Sequence, residues 1–286
     1  MTEPLASDEL ALQAAARLAN VSFALLHRRL PSVVSGTRVY WTLLLGHHVA
    51  RGGVDGDFVE TGVYKGGTTI AMLRVLAEAN ASRSHWACDS FEGLPDPEPQ
   101  DAACPHAGAG AHGCAHNWTR GHFASSRAVF EENVRKWSSS RQPLGLQRLR
   151  VVPGWFNSTL PSMGMRAIAF LRLDGDAYSS TRDALAALYP LMSPGGIVYV
   201  DDYGGYGGCA AAVDEYRRRH AVTAPLQKIW ERFPTGRLRV PSKDARPVRV
   251  VEWKFEAVWW QLGPGGNRDY LTNFKRWNHR SRALSR

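Results

Sequence analysis

Apolar and polar positions change their period partway along the chain. Up to about residue 50 they follow a helical rhythm. Ser7-Asp-Glu-Leu-Ala-Leu-Gln-Ala-Ala-Ala-Arg-Leu is rich in helix formers and opens on Ser7 as a cap. A second apolar stretch, Val39–Val49, follows the break at Pro31–Gly36. From Asp57 short apolar runs alternate with longer amphipathic segments, the signature of strand–helix–strand units. This pattern predicts strands at Phe58–Glu60, His85–Cys88, Leu149–Val152, Ala167–Leu173 and Ile197–Val200. Helices are predicted near Thr68–Ala79, Ala124–Trp137, Ser180–Tyr189 and Cys209–His220. Leu226–Arg232 and Val248–Trp260 read as antiparallel strands. The expected fold class is therefore α/β: a Rossmann-like, doubly wound, mostly parallel sheet with an antiparallel C-terminal hairpin and N-terminal helices. The expected organisation is a helical cap at 1–50, a main domain at 51–260 and a basic tail at 261–286. Residues 95–122 carry Pro, Gly, Ala and His without a period and read as an inserted loop.

Composition narrows the function classes. No apolar run approaches the roughly 20 residues of a membrane helix, and no basic segment leads into an apolar one at the N-terminus. Four cysteines in 286 residues are too few for a disulfide framework and fit a reducing, cytoplasmic setting. Asn20, Asn80, Asn117 and Asn157 match the glycosylation sequon, which in that setting reads as chance. The formal charge is +9, with Arg268, Lys275, Arg276, Arg280, Arg282 and Arg286 opposed only by Asp269 near the end. Such an end reads as a solvated tail, so neither nucleic acid nor membrane is an expected partner. A homo-oligomer is compatible with the sequence.

Two constellations carry candidate chemistry. In the first, Asp57-Phe-Val-Glu-Thr-Gly-Val-Tyr-Lys-Gly-Gly-Thr-Thr runs from strand through turn to a helix that Thr68 or Thr69 would cap. Glycine allows close backbone approach, and a helix N-terminus offers free N–H groups. The stretch is neither a P-loop nor a full dinucleotide fingerprint, so a tight turn without a ligand stays open. Asp89 ends the next strand, where an acid would accept ribose hydroxyls, with Ser90, Phe91 and Glu92 beside it. Together these features suggest an adenosine-bearing cofactor.

The second constellation is acidic. Leu171-Arg-Leu-Asp174-Gly-Asp176-Ala-Tyr178 and Ile197-Val-Tyr-Val-Asp201-Asp202-Tyr203 each close an apolar strand with two acids. If the strands are neighbours, four carboxylates meet at one sheet edge, at a cost that a cation would offset. Hard oxygen donors suit Mg²⁺. Helix capping is the bland alternative for these acids. Ser179, Ser180 and Thr181 could serve that purpose after Asp176 instead.

These stretches, with Asp89-Ser-Phe-Glu-Gly-Leu-Pro, Pro153-Gly-Trp-Phe, Tyr189-Pro and Ser193-Pro-Gly-Gly, resemble the TylF (macrocin O-methyltransferase) family over roughly residues 35–235. The resemblance implies a class I S-adenosylmethionine-dependent methyltransferase fold with bound Mg²⁺, acting on sugar hydroxyls. It implies a cofactor site of Glu60, Thr61, Gly62, Val63 and Tyr64 at the methionine end, and Asp89, Ser90 and Phe91 at the ribose. Gly154, Trp155 and Asp174 complete it. Asp174, Asp201 and Asp202 would hold the metal, and Asp176 would be the general base. The stretch Asp101–His122 and the tail beyond Trp260 depart from the family pattern and weaken any transfer of substrate identity.

The expected partner is a small-molecule acceptor with vicinal hydroxyls, on a sugar or a glycosylated compound. A catechol or phenol served by the same metal site is the near alternative. A metal-dependent hydrolase would need neither Asp89 nor the Gly62 turn. A non-catalytic basic module binding anionic polymers is the alternative from another class. Cys104, His106, His112, Cys114, His116 and His122 lack a standard zinc spacing and read as part of an active-site loop rather than a zinc site or a disulfide. Trp253, Trp259 and Trp260 read as core, and His47 and His48 as packed or surface residues.

Overall fold

The computed structural model describes residues 7–26, 30–102, 118–138, 143–238 and 248–263. Two helices lead, α1 (Ser7–Leu26) and α2 (Gly36–Arg51). The alternating part follows as β1 (Asp57–Thr61), α3 (Gly67–Glu78), β2 (His85–Asp89), α4 (Arg127–Trp137), β3 (Leu149–Pro153) and a short α5 (Phe156–Thr159). It continues through β4 (Ile168–Leu173), α6 (Tyr178–Leu188), β5 (Met192–Val200) and α7 (Gly207–Arg219). The hairpin β6 (Gln227–Leu238) and β7 (Val248–Gln261) closes the sheet. The strand order is β3-β2-β1-β4-β5-β7-β6, with only β7 and its two pairings antiparallel.

Strict alternation in the central strands divides the core between the two faces of the sheet. Phe58, Phe170, Ile197, Tyr199 and Trp259 pack with the apolar residues of α1, α2 and α3. Their immediate neighbours Val59, Leu171, Val198 and Trp260 pack on the opposite face with α6 and α7. Trp259 and Trp260 are thus core, as expected. The side chain of Trp253 lies outside the description.

The sequence expectations fail mainly at element ends. Gly66, in a left-handed conformation, precedes α3 in place of a threonine cap, and Thr69 instead donates to Glu60. Helix α4 starts three residues later than expected, because Ser126 caps it by accepting from Val129 N. Ser179, Ser180 and Thr181 do not cap α6: Ala177 holds the cap position without a side-chain bond. The capping oxygen comes from far away in sequence, as Asp101 Oδ1 accepts from Tyr178 N at 2.7 Å. His47 is buried among α1, α2 and α3, next to Ser22 and Glu78. Cys104, His106, His112, Cys114 and His116, and the tail from residue 264 on, lie outside the described residues. Cys88 and Cys209 are buried free thiols. Among the described residues no helix is long and apolar enough to cross a membrane.

Candidate active site

The direction of winding reverses between β1 and β4, and a cavity of about 1190 Å³ opens above the carboxyl ends of the strands there. The hydrogen-bond ladder continues one step past the strands. Gly62 N donates to Cys88 O, Asp174 N to Thr61 O, Asp201 N to Leu173 O, and Gly154 N to Asp89 O, at 2.8–2.9 Å. These bonds fix the starts of the loops that carry the site. Gly62 has a φ of 85°, and a Cβ there would overlap the Asp174 carbonyl. Glycine is required at this position by backbone contact between two loops.

Asp89 organises the first turn. Its Oδ2 accepts from Val63 N at 2.8 Å and Tyr64 N at 3.2 Å, and its Oδ1 accepts from Phe91 N at 2.7 Å. Burial pushes its carboxyl up, against those three donors. Oδ1 retains acceptor capacity. Gly62, Tyr64, Asp89, Ser90 and Trp155 line the cavity. Glu60, Thr61, Val63, Phe91 and Gly154 do not, and Glu60 is fully buried beneath its floor. There Glu60 accepts from Thr69 Oγ1 at 2.6 Å, with His85 Nε2 and Arg172 Nη1 each 3.4 Å away. Burial alone would raise its pKa, but the His85 contact and the Arg172 charge outweigh it and hold the carboxyl below its ordinary range.

Strand register explains the next layer. Glu60, Arg172 and Tyr199 are direct cross-strand neighbours on β1, β4 and β5. Arg172 is completely buried and reaches Asp174 Oδ2 at 2.5 Å and Asp201 Oδ1 at 2.6 Å, above the Tyr199 ring. Burial works against its charge, and Asp174, Asp201 and Glu60 more than compensate. Arg38 of α2 reaches the other Asp201 oxygen, so both oxygens of that residue already meet a guanidinium. The same Arg38 lies 3.2 Å from Glu231 Oε1 and 3.3 Å from Glu256 Oε2.

The acids on β4 and β5 do converge. Asp174, Asp201 and Asp202 can each offer an oxygen, with all three oxygens within 4.8 Å of one another. Asp176 lies beside them in a left-handed backbone conformation, φ 53°, and its N–H faces Asp202 Oδ2 at 3.3 Å. Burial and neighbouring carboxylates push three of the four up: Asp174 to about 6, and Asp176 and Asp202 well above the carboxylate range. Arg172 and Arg38 serve Asp174 and Asp201, which leaves Asp202 and Asp176 with no direct cation partner in the ion pairs described. The donor set therefore fits a hard divalent cation, with Asp202 and the Asp174 oxygen that Arg172 does not contact best placed to hold it.

Comparison with known proteins settles the lineage. The family model for macrocin-O-methyltransferase (TylF) matches residues 43–232. The chain belongs to the TylF family. A tetracenomycin-type 4'-O-methyltransferase from Streptomyces olivaceus, named for a 2,3-dimethoxy-rhamnosyl compound, is 40% identical over 182 residues, 63% of this chain and 65% of that protein. Demethyldecarbamoylnovobiocin O-methyltransferase from Streptomyces niveus is 39% identical over 186 residues, 63% of this chain and 67% of the relative. The matched segment thus spans about two thirds of these relatives. Among solved structures, the O-methyltransferase NovP superposes with a TM-score of 0.62 at 28% identity, over 90% of this chain and all of that one.

Seen as a TylF-family site, the cleft contains groups that sequence reasoning missed. The charged residue inside the apolar run Leu171-Arg172-Leu173 was a usable signal, because a buried arginine must have partners. Nothing local marks Arg38, Glu231, Glu256 or Asp101, since each acts on a residue more than 70 positions away.

Proposed function

We propose that this TylF-family protein transfers a methyl group from S-adenosylmethionine to a hydroxyl of a sugar or glycosylated small molecule, with the aid of Mg²⁺. The observation that carries the reading is the convergence of Asp174, Asp176, Asp201 and Asp202 beside the Gly62–Asp89 turn in one cavity. The name of the Streptomyces olivaceus relative points to a glycosylated acceptor. Ten carboxylates and three arginines line the cavity among the described residues, in a chain whose overall charge is +9. An acidic cleft suits a positively charged sulfonium donor.

The donor supplies an electrophilic methyl carbon whose C–S electron pair returns to sulfur as the acceptor oxygen bonds to it. A divalent cation held there would supply charge that acidifies the acceptor hydroxyl. Asp174, Asp202 and one lone pair of Asp201 would hold that cation. Asp89 Oδ1, Ser90 and the Tyr64 turn would receive the ribose and methionine ends. Trp155 would flank the donor. Asp176 takes the hydroxyl proton onto its carboxylate. Such a base contributes about 10²–10⁴-fold. Orientation within the cleft contributes much of the rest.

The test is calorimetric titration with S-adenosylhomocysteine, with Mg²⁺ and after chelation, followed by an acceptor screen over glycosides and catechols. Micromolar binding, with turnover lost on chelation and restored by Mg²⁺, is the expected result. Absence of binding under both conditions overturns the reading. Methylation of catechols but not glycosides moves the acceptor to the phenolic class.

A further inference from the structure

Across the acid cluster from the Gly62–Asp89 turn, the cavity has a second wall that the mechanism above does not use. Ser35 and Arg38 at the start of α2, Glu231 of β6 and Glu256 of β7 form it. Ser35 Oγ donates to Glu231 Oε1 at 2.8 Å, and Arg38 stands between the two glutamates and Asp201. Arg38 Nε is buried yet makes no hydrogen bond, despite lying 3.2 Å from Glu231 Oε1. Burial pushes the Glu231 carboxyl up, against the Arg38 charge and the Ser35 bond. A wall that buries a guanidinium edge and two carboxylates in a ligand cavity is built for a polar occupant.

Geometry identifies the occupant. In the sheet order, β1, β2 and β3 lie on one side of the acid cluster and β7 and β6 on the other. The donor would occupy the first side, so the wall of Arg38, Glu231 and Glu256 faces the acceptor. A cavity of about 1190 Å³ also exceeds the roughly 300–1,000 Å³ usual for a single ligand, which leaves room for two.

We infer that Glu231 and Glu256, held in place by Arg38, select the acceptor: its ring hydroxyls donate to the two carboxylates, and the wall admits a neutral or amino-bearing glycoside while rejecting a nucleoside-diphosphate sugar. This rests on the methyl-transfer reading above. Carboxylates accept from sugar hydroxyls and from ammonium groups. A diphosphate brought to the same wall meets like charge, and among the described residues the two arginines at the cleft mouth face carboxylates of their own, Arg120 near Glu92 and Asp96 and Arg182 near Glu98 and Asp183.

The experiment compares three acceptors with the full chain, S-adenosylmethionine and Mg²⁺: methyl rhamnoside, a methyl aminodeoxyglycoside and the nucleoside-diphosphate form of rhamnose. S-adenosylhomocysteine affinity is measured in parallel. The wild type is expected to favour the neutral or amino glycoside over the diphosphate sugar by at least about tenfold in kcat/KM. Glu231→Gln and Glu256→Gln each raise the glycoside KM by about tenfold, as expected for loss of one hydrogen bond to a charged acceptor. They leave kcat and S-adenosylhomocysteine affinity within about twofold, and narrow the charge preference. Equal or better use of the diphosphate sugar overturns the inference. Variants that keep the wild-type KM, or lose donor affinity instead, also overturn it. So does a chain that binds S-adenosylhomocysteine and methylates none of the three. Failure to bind S-adenosylhomocysteine strikes the methyl-transfer reading itself.

Discussion

Asp176 combines two unusual conditions in one residue: a left-handed backbone and a half-buried carboxyl set against like charges. The two can be separated by substitution. Asn tolerates the left-handed region better than most side chains, whereas Ala gains nothing there. Asp176→Asn is expected to retain S-adenosylhomocysteine and metal binding and to lose about 10²–10⁴-fold in turnover. Asp176→Ala should show the same loss of turnover and unfold at lower urea than Asp176→Asn, by roughly 1 kcal/mol. A turnover within tenfold of wild type in Asp176→Asn would move the base elsewhere, for instance to His122 at the cavity wall.

At the scale of elements, the packing of α1 and α2 on α3 depends on a buried polar knot. Glu78 Oε2 accepts from Ser22 Oγ at 2.7 Å and lies 3.2 Å from His47 Nε2, while Arg74 pairs with its other oxygen. Burial would raise the pKa of Glu78, but the bonds to His47, Ser22 and Arg74 win and bring it down to about 2. A depressed carboxylate stabilises the fold above its ordinary value near 4.5, and that contribution is lost as pH falls from there toward 2. Urea unfolding between pH 7 and pH 3 should therefore show a steep acid loss in the wild type and a flatter one in Glu78→Gln. Identical pH profiles would mean that the knot contributes nothing. The α6 N-terminus depends on Asp101 Oδ1 as its capping acceptor, and Asp101→Ala should cost about 0.5–2 kcal/mol in urea unfolding at pH 7.

Over the whole molecule, charge is segregated: the chain is basic and its cleft is acidic. A polyanion attracted by the overall charge should therefore bind outside the cleft. At low salt, heparin is expected to leave the S-adenosylhomocysteine affinity within about twofold, and any heparin binding to fall steeply with added salt. Direct competition between heparin and S-adenosylhomocysteine would show that the basic surface reaches into the cleft and would favour a polyanion-binding module.

The linear chain determined what depends on near neighbours. Alternation in Phe170-Leu171 and Trp259-Trp260 specifies strands buried on both faces, and paired acids directly after apolar strands place carboxylates at the sheet edge. Those periods survive in any context that buries the strands, so the α/β sheet, its antiparallel hairpin and the acid cluster were legible. Only the tertiary structure decided how the acids are neutralised and what faces the acceptor. Arg172 meets Glu60 through strand register, and Arg38 meets Asp201, Glu231 and Glu256 because α2 packs on the face of the sheet with its first turn beside the acid cluster. Asp101 caps a helix 77 residues away, so the serines and threonine in the first turn of that helix were not needed as caps. Side-chain electrostatics depends on distance in space, and sequence separation carries almost no information about that distance once the chain has crossed from one strand to the next.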